Sequence, residues 1–320
     1  MGESSIQNPH DGFFKQTFGR VDFAREFLAK FLSAEVAEYL DLAALQAASE
    51  SFVDDDLRQT QSDLVYRVPL IGGGEAVVYL LFEHKSYPDR LTVFQLLKYV
   101  VRINERRLRD GLPLCCVIPL VVYHGPSGWN VARSLDQLIE VPVPLARFLP
   151  VFRIELVDLS SYDDEQLRSG AFLHATLLML KYVLRPELPG QLERILGLLA
   201  ALPHQAHGLD CVKLLLAYVI QGSDRVDAEG LRAALRAGLP ERVNELMPTL
   251  AEQWVKQGKE AGRQEGRQEG MLIGRIQACR SMLGESTDGD DLSGKSVAEL
   301  QELAERLQAQ VRQRLAGGRE

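Results

Sequence analysis

The residue types best suited to chemistry are two carboxylates and a lysine at the ends of two runs rich in β-branched and aromatic residues. Ser62-Asp63-Leu64-Val65-Tyr66-Arg67 and Val77-Val78-Tyr79-Leu80-Leu81-Phe82-Glu83-His84-Lys85-Ser86 flank Gly72-Gly73-Gly74, whose positive-φ freedom suits a hairpin loop. With the loop centred on Gly73, Asp63 faces Glu83 across the ladder, their Cβ atoms about 5 Å apart. Lys85 falls on the same strand face as Glu83, because side chains repeat every second residue. Like charges so placed repel unless something positive lies between them. Asp63 and Glu83 are hard oxygen ligands of the kind Mg²⁺ takes through one or two carboxylates and retained waters.

Further elements must hold that hairpin in place. Leu91 to Leu108 reads as a helix with Gln95 and Tyr99 on one face. Leu112 to Tyr123 is apolar nearly throughout, as a strand covered on both faces is, and Val151 to Leu159 reads as one more strand. A helix between such strands implies a crossover and hence a mixed sheet, so the expected class is α/β. Ahead of the hairpin, Phe13, Phe14, Phe18, Phe23, Phe27 and Phe31 recur at helical steps, with Gly19 dividing two helices. Beyond the last strand, Ser160 or Ser161 with Asp163 and Asp164 offers capping chemistry for a helix running towards Leu184. Residues 191–201, 209–220, 229–237 and 240–255 read as further helices, making this stretch all-α.

The hairpin pattern resembles the PD-(D/E)XK nucleases, in which an Asp begins one strand and an acidic-X-Lys triplet, here Glu83-His84-Lys85, ends the next. Gln95 and Tyr99 resemble the Gln-x-x-x-Tyr element that branches of that superfamily place on the following helix. The ordered set His10-Asp11-Gly12-Phe13-Phe14-Lys15, Ser62-Asp63, Phe82-Glu83-His84-Lys85-Ser86 and Val122-Tyr123-His124-Gly125 with Trp129 resembles the recombination-promoting nuclease (Rpn) family more closely. That resemblance implies a restriction-endonuclease-like mixed sheet flanked by helices and followed by an all-α region. It also implies a metal-dependent DNA endonuclease acting in recombination or on mobile elements. Asp63, Glu83 and the His84 backbone carbonyl would hold Mg²⁺ or another divalent cation, Lys85 would position the attacking water, and Gln95 would orient Lys85 or the phosphate. Tyr99 either joins them or only packs. Asp11 either belongs to the site or caps the first helix. The expected organisation is a nuclease-like core over 1–160, a helical region over 161–255 and a tail over 256–320.

Composition limits the alternatives. A chain of 320 residues, 46% hydrophobic and 25% charged, is an ordinary globular one, and its formal charge of −8 argues against nonspecific coating of nucleic acid. Arg102, Arg106, Arg107 and Arg109 either flank the site and meet DNA, Arg102 and Arg106 first, or form a solvated face with Glu105 and Asp110. Cys115, Cys116, Cys211 and Cys279 have neither zinc nor disulfide spacing and read as small buried hydrophobes in a reducing cytoplasm. No apolar stretch suggests export or a membrane span.

The tail carries an internal repeat: Gly258, Gly262, Gly266, Gly270 and Gly274 fall every fourth residue. In a helix each costs about 1 kcal/mol against alanine, so the segment is either a helix packed closely on another backbone or a flexible linker. Ser296 with Glu299 caps a last helix, whose stripe Val297, Leu300, Leu303, Leu307, Val311 and Leu315 expects a helical partner, in a second subunit or in the middle segment. A homo-oligomer is therefore expected. The competing function is a non-catalytic, nuclease-like module whose work is assembly through this tail; RNA is the other substrate to test.

Overall fold

In the computed structural model, which describes residues 9–48, 64–83, 88–202, 206–284, 292 and 294–317, the phenylalanine-rich stretch forms α1 (Pro9–Phe18) and α2 (Val21–Phe31). Gly19 divides them as expected, because a Cβ there would lie 2.5 Å from the Lys15 carbonyl oxygen. Phe14, Phe18 and Phe27 are fully buried and pack ring against ring. One turn of helix, α3 (Ala34–Ala37), then leads to the short strand β1 (Gln46–Ala47).

The hairpin forms, as β2 (Leu64–Pro69) and β3 (Glu75–Glu83), around glycines 72 to 74 at φ values of 101°, 110° and 96°. Its register corrects the expected one. Leu64 pairs with Leu80 and Pro69 with Glu75, which centres the turn on Gly72 rather than Gly73; Asp63, the expected partner of Glu83, lies outside the described residues. The Leu70 N–H donates to the Gly74 carbonyl at 3.1 Å and the Gly73 N–H to the Leu70 carbonyl at 3.0 Å, closing the turn earlier than a count from the middle glycine anticipates. A slip of two positions, unlike a slip of one, leaves every described side chain on its expected face.

Helix α4 (Thr92–Arg109) follows and ends where Gly111 enters positive φ at 72°. There the Leu112 and Gly111 N–H groups donate back to the Arg107 and Leu108 carbonyls at 2.8 and 3.1 Å. That cap uses Leu112, and Pro113 has no N–H, so the next strand β4 (Cys116–Tyr123) starts later than the apolar run. After the short α5 (Leu135–Leu138), β5 (Glu155–Asp158) completes a five-stranded mixed sheet in the order β1-β2-β3-β4-β5, shorter than the strand expected over 151–159. The β1–β2–β3 pairs are antiparallel, and β3–β4 and β4–β5 are parallel. Pro119 is tolerated inside β4 because β5 begins to pair only at Leu120.

The sheet is covered on both faces. Val65, Val77 and Val121 pack with Val93, Leu96 and Ile103 of α4 and with Leu135 of α5. On the other face the Tyr66 hydroxyl donates to the Phe18 carbonyl at the end of α1. Helices α6 (Ala171–Tyr182), α7 (Leu188–Leu198), α8 (Ala206–Gly222) and α9 (Ala228–Gly238) follow. The helix expected from Ser160 starts instead at Ala171, because Asp163 and Gln166 cap each other's backbone N–H groups within a turn, at 2.8 and 2.7 Å. Cys211 and Cys279 are buried as expected, Cys115 is half-buried, and Cys116 is exposed because it opens β4 ahead of the β5 pairing. Among the described residues no helix is long and apolar enough to cross a membrane.

The chain divides into compact units at Leu250 and Ala251. Helix α10 (Val243–Leu283) supplies the first element of the second unit and carries the glycine repeat as helix. Among the described residues, nothing outside the helix's own backbone lies within 4 Å of a Cβ placed on Gly258, Gly262, Gly266, Gly270 or Gly274. Helix α11 (Val297–Gly317) has the expected capping box: the Ser296 N–H donates to the Glu299 carboxylate at 2.8 Å, and the Glu299 N–H to the Ser296 hydroxyl at 3.3 Å. Its stripe, through Leu300, Ala304 and Leu307, buries against Ile276 and Cys279 at the end of α10.

One ion cluster joins strand, helix and crossover. Glu75 contacts Arg67 and the buried Arg107, each at 2.6 Å, and Arg107 also donates to the Pro113 carbonyl at 2.9 Å. Partial burial alone would raise the Glu75 carboxyl, but the bonds and charges of both arginines outweigh it and hold the carboxyl below its ordinary value. Glu75→Gln is expected to cost about 2–3 kcal/mol at pH 7, because it strands a buried guanidinium. A depressed folded-state value stabilises above the unfolded one and loses that contribution as pH falls through it, so the gap to wild type should close in acid. Urea unfolding at pH 7 and pH 3 checks both statements, and equal stability at pH 7 would show the cluster to be solvated.

Candidate active site

Three strands run parallel to a common carboxyl edge, the edge where open α/β sheets bind ligands. There Glu83 of β3, Tyr123 of β4 and Asp158 of β5 occupy one cross-strand row, with neighbours about 4.8 Å apart. Asp158 is buried and has both oxygens in use. One accepts from the Trp129 N–H at 2.8 Å and the other from the Ser160 N–H at 2.9 Å, so Asp158 anchors the loop after β4 and is no open ligand. Tyr123 is fully buried with its ring edge-on to Trp129, centroids 5.5 Å apart. The Tyr123 ring lies over Gly125 so closely that any Cβ there would collide with the phenol. The motif Tyr123-His124-Gly125 with Trp129 is therefore a packing unit that shapes the edge.

His124 turns to the opposite face. It is buried, with Nδ1 3.1 Å from the Leu180 carbonyl oxygen of α6 and its ring centroid 5.3 Å from that of His10. His10 Nδ1 lies 2.8 Å from the Tyr218 hydroxyl of α8, and Phe13 stacks on the Tyr218 ring at 4.0 Å. Burial first, and then the negative charge of the buried Asp11, push the Tyr218 phenol well above its usual value. Two motifs more than a hundred residues apart, His10-Asp11 and Tyr123-His124-Gly125, thus meet at one end of the sheet.

Gln95 lies on the α4 side, where its amide donates to the Asp89 carboxylate at 3.4 Å while Asp89 also accepts from the Leu91 N–H at 2.8 Å. Gln95 and Asp11 are consequently on opposite sides of the sheet. Tyr99 packs against the core beneath α4. Arg106 pairs with Asp110 at 3.0 Å, and Arg102 is half-buried. Asp63, His84 and Lys85 lie outside the described residues, and Glu83 is placed by its backbone as the last residue of β3. Among the described residues no group of three or more His, Cys, Asp or Glu could hold a metal ion. Of the expected ligands, Glu83 at the open carboxyl edge has the hard-oxygen chemistry a divalent cation needs.

Sequence reasoning missed Asp89, Asp158 and Tyr218. Asp89 sits three residues before Thr92, where its carboxylate accepts from the N–H two residues on, a recognisable turn signal ahead of a helix. Asp158 ends an apolar strand just as Glu83 does. Tyr218 left no local signal, being one aromatic residue in an apolar helix.

Residues 8–210 match the family described as "Putative transposase, YhgA-like". The recombination-promoting nuclease RpnA of Escherichia coli K12 is 29% identical over 260 residues, covering 79% of this chain and 85% of that protein. RpnD of E. coli O157:H7, also named a recombination-promoting nuclease, is 27% identical over 79% of this chain and 96% of its own length. RpnE of E. coli K12, named an inactive recombination-promoting nuclease-like protein, is 30% identical over 62% of this chain and 67% of its own. No solved structure matches the chain.

The packing of Tyr123 on Gly125 is testable without an activity assay. Gly125→Ala should lower stability by about 1–3 kcal/mol, the usual cost of overfilling a packed site. Thermal unfolding measures it, and a neutral substitution would show that the loop after β4 yields freely.

Proposed function

The chain belongs to the YhgA-like transposase family, and from that premise we propose that it is a metal-dependent nuclease of the PD-(D/E)XK type that cuts DNA during recombination. The observation that carries this reading is the placement of Glu83 at the carboxyl edge of the parallel strands, in one row with Tyr123 and Asp158. The convergence there of motifs from α1, β3 and β4 supports it, as do the names of RpnA and RpnD. Asp63, Glu83 and the His84 carbonyl would hold Mg²⁺, which when bound would supply Lewis acidity towards the phosphate. Lys85 holds the attacking water and favours its loss of a proton. Gln95, tethered to Asp89, orients Lys85 or the scissile phosphate. Asp11 supports the edge from the opposite face through the His10–Tyr218 pair, and Tyr99 fixes α4 against the core. Arg102 and Arg106 meet DNA phosphates beyond the site.

A second reading, a nuclease-like module without catalysis, is favoured by one observation: the relative RpnE is named inactive. Mg²⁺-dependent nicking of plasmid DNA separates the two. Asp63→Asn should abolish nicking without loss of thermal stability, and Lys85→Arg should abolish it as well, because a planar guanidinium cannot replace a compact ammonium beside bound water. Intact plasmid with wild-type protein, or activity in either variant, overturns the assignment. Labelled RNA in parallel decides the substrate.

The same proposal includes self-association through residues 255–315, where no described residue outside the helix's own backbone comes within 4 Å of a Cβ on the glycine repeat of α10. Close approach of a second copy would offset the propensity penalty of roughly 1 kcal/mol per glycine. Truncation after Trp254 should raise the dissociation constant of the oligomer about tenfold or more in light scattering. Full-length protein that is monomeric at micromolar concentration overturns it.

A further inference from the structure

The outer face of α4 does not look like a helix surface meant for water. Its inner face, through Val93, Leu96 and Ile103, is buried in the sheet core. Yet Phe94, Val101 and Leu108, each seven residues apart, are 47, 49 and 57% exposed on the outside. Lys98 and Glu105 are exposed between them, so the steps alternate between four and three residues. Scattered apolar residues on a surface need no explanation, but apolar residues aligned every seven, with opposite charges at the positions between them, fit a helix seam whose alternate layers are charged.

We propose that this face is an interface between two copies of the chain, with the two α4 helices antiparallel about a twofold axis near Val101. The strip's own charges select that occupant. Lys98 and Glu105 stand about 10.5 Å apart along the helix, at 1.5 Å per residue, too far to pair with each other. Parallel pairing sets Lys98 on Lys98 and Glu105 on Glu105. Antiparallel pairing about the strip's midpoint sets each Lys98 on the partner copy's Glu105 and brings Phe94 towards Leu108. A strip that is self-complementary under a twofold rotation and repulsive under translation describes an isologous contact.

A helix of 18 residues is about 27 Å long. A strip of that length falls short of the roughly 800 Å² per partner that a stable interface buries. More apolar surface is at hand: α5 packs on α4, and the segment leading out of it exposes Val143, Phe148 and Val151. Gln95 adjoins the seam, so pairing brings together the two helices that border the candidate sites. The inference does not rest on the nuclease reading, nor on the glycine repeat of α10.

The test uses full-length protein and a short bis-maleimide. Val101→Cys in a Cys116→Ser background should cross-link to a dimer at concentrations where wild-type protein, whose exposed Cys116 lies off the seam, gives none. In a dilution series by light scattering, Lys98→Glu and Glu105→Lys singly should each raise the dissociation constant about tenfold, because each acts twice across the axis. The double exchange should restore it. No cross-link through Val101→Cys overturns the interface, even where light scattering finds a dimer, and that outcome leaves association through the tail standing. A double exchange as weak as the single ones overturns the antiparallel arrangement.

Discussion

Everything at the candidate site depends on the parallel ladder between β3 and β4. From Ala76–Cys116 to Glu83–Tyr123 the two strands stay in register without a break. A parallel pair cannot be joined by a tight turn, so the chain must cross over, and α4 is that crossover. The helix then has to cover the sheet, which commits Val93, Leu96 and Ile103 to the core. The same ladder carries Glu83 to the carboxyl edge and delivers the loop after β4 beside it. β5 extends the edge by one strand and ends it with Asp158.

At that edge, polar residues divide their work by burial. Asp158 spends both oxygens on backbone N–H groups and holds the Trp129 loop in place. Tyr123 and Gly125 settle the shape of the same loop by contact, since the ring leaves no space for a side chain at 125. His124, His10 and Tyr218 tie α1, α6 and α8 to the far face of the sheet. The residues that remain with chemistry to offer are at the strand end and on α4. The sheet separates them from the Asp11 cluster, which can shape the edge from behind but does not share a face with Gln95.

Helix α4 is therefore asked to satisfy the crossover, the core and the edge at once, and its outer strip is left apolar in addition. The second unit resolves a similar demand internally: the stripe of α11 finds its partner in the last turns of α10. For the outer face of α4 the described residues offer no such cover, and its charges are arranged for a rotated copy of itself.

Features set by local rules were legible from the residues alone. Alternation and the glycine turn marked the β2–β3 hairpin, helical spacing marked α4 with Gln95 and Tyr99, and the Ser296–Glu299 box marked the start of α11. The order of short motifs marked the family. Each rests on contacts within a few residues, so each leaves a periodic or compositional trace. Only the tertiary structure decided the hairpin register, because closure on Leu70 depends on which backbone groups bond within the turn. It alone joined His10 to Tyr218, 208 residues away, and separated Asp11 from Gln95 by a sheet. It alone moved the start of α6 to Ala171 and gave the α11 stripe its partner. The long-range contacts among these are made between surfaces that meet only after the chain has folded, and the two local ones, at Leu70 and at Asp163–Gln166, were each one choice among several bonds the same residues could make.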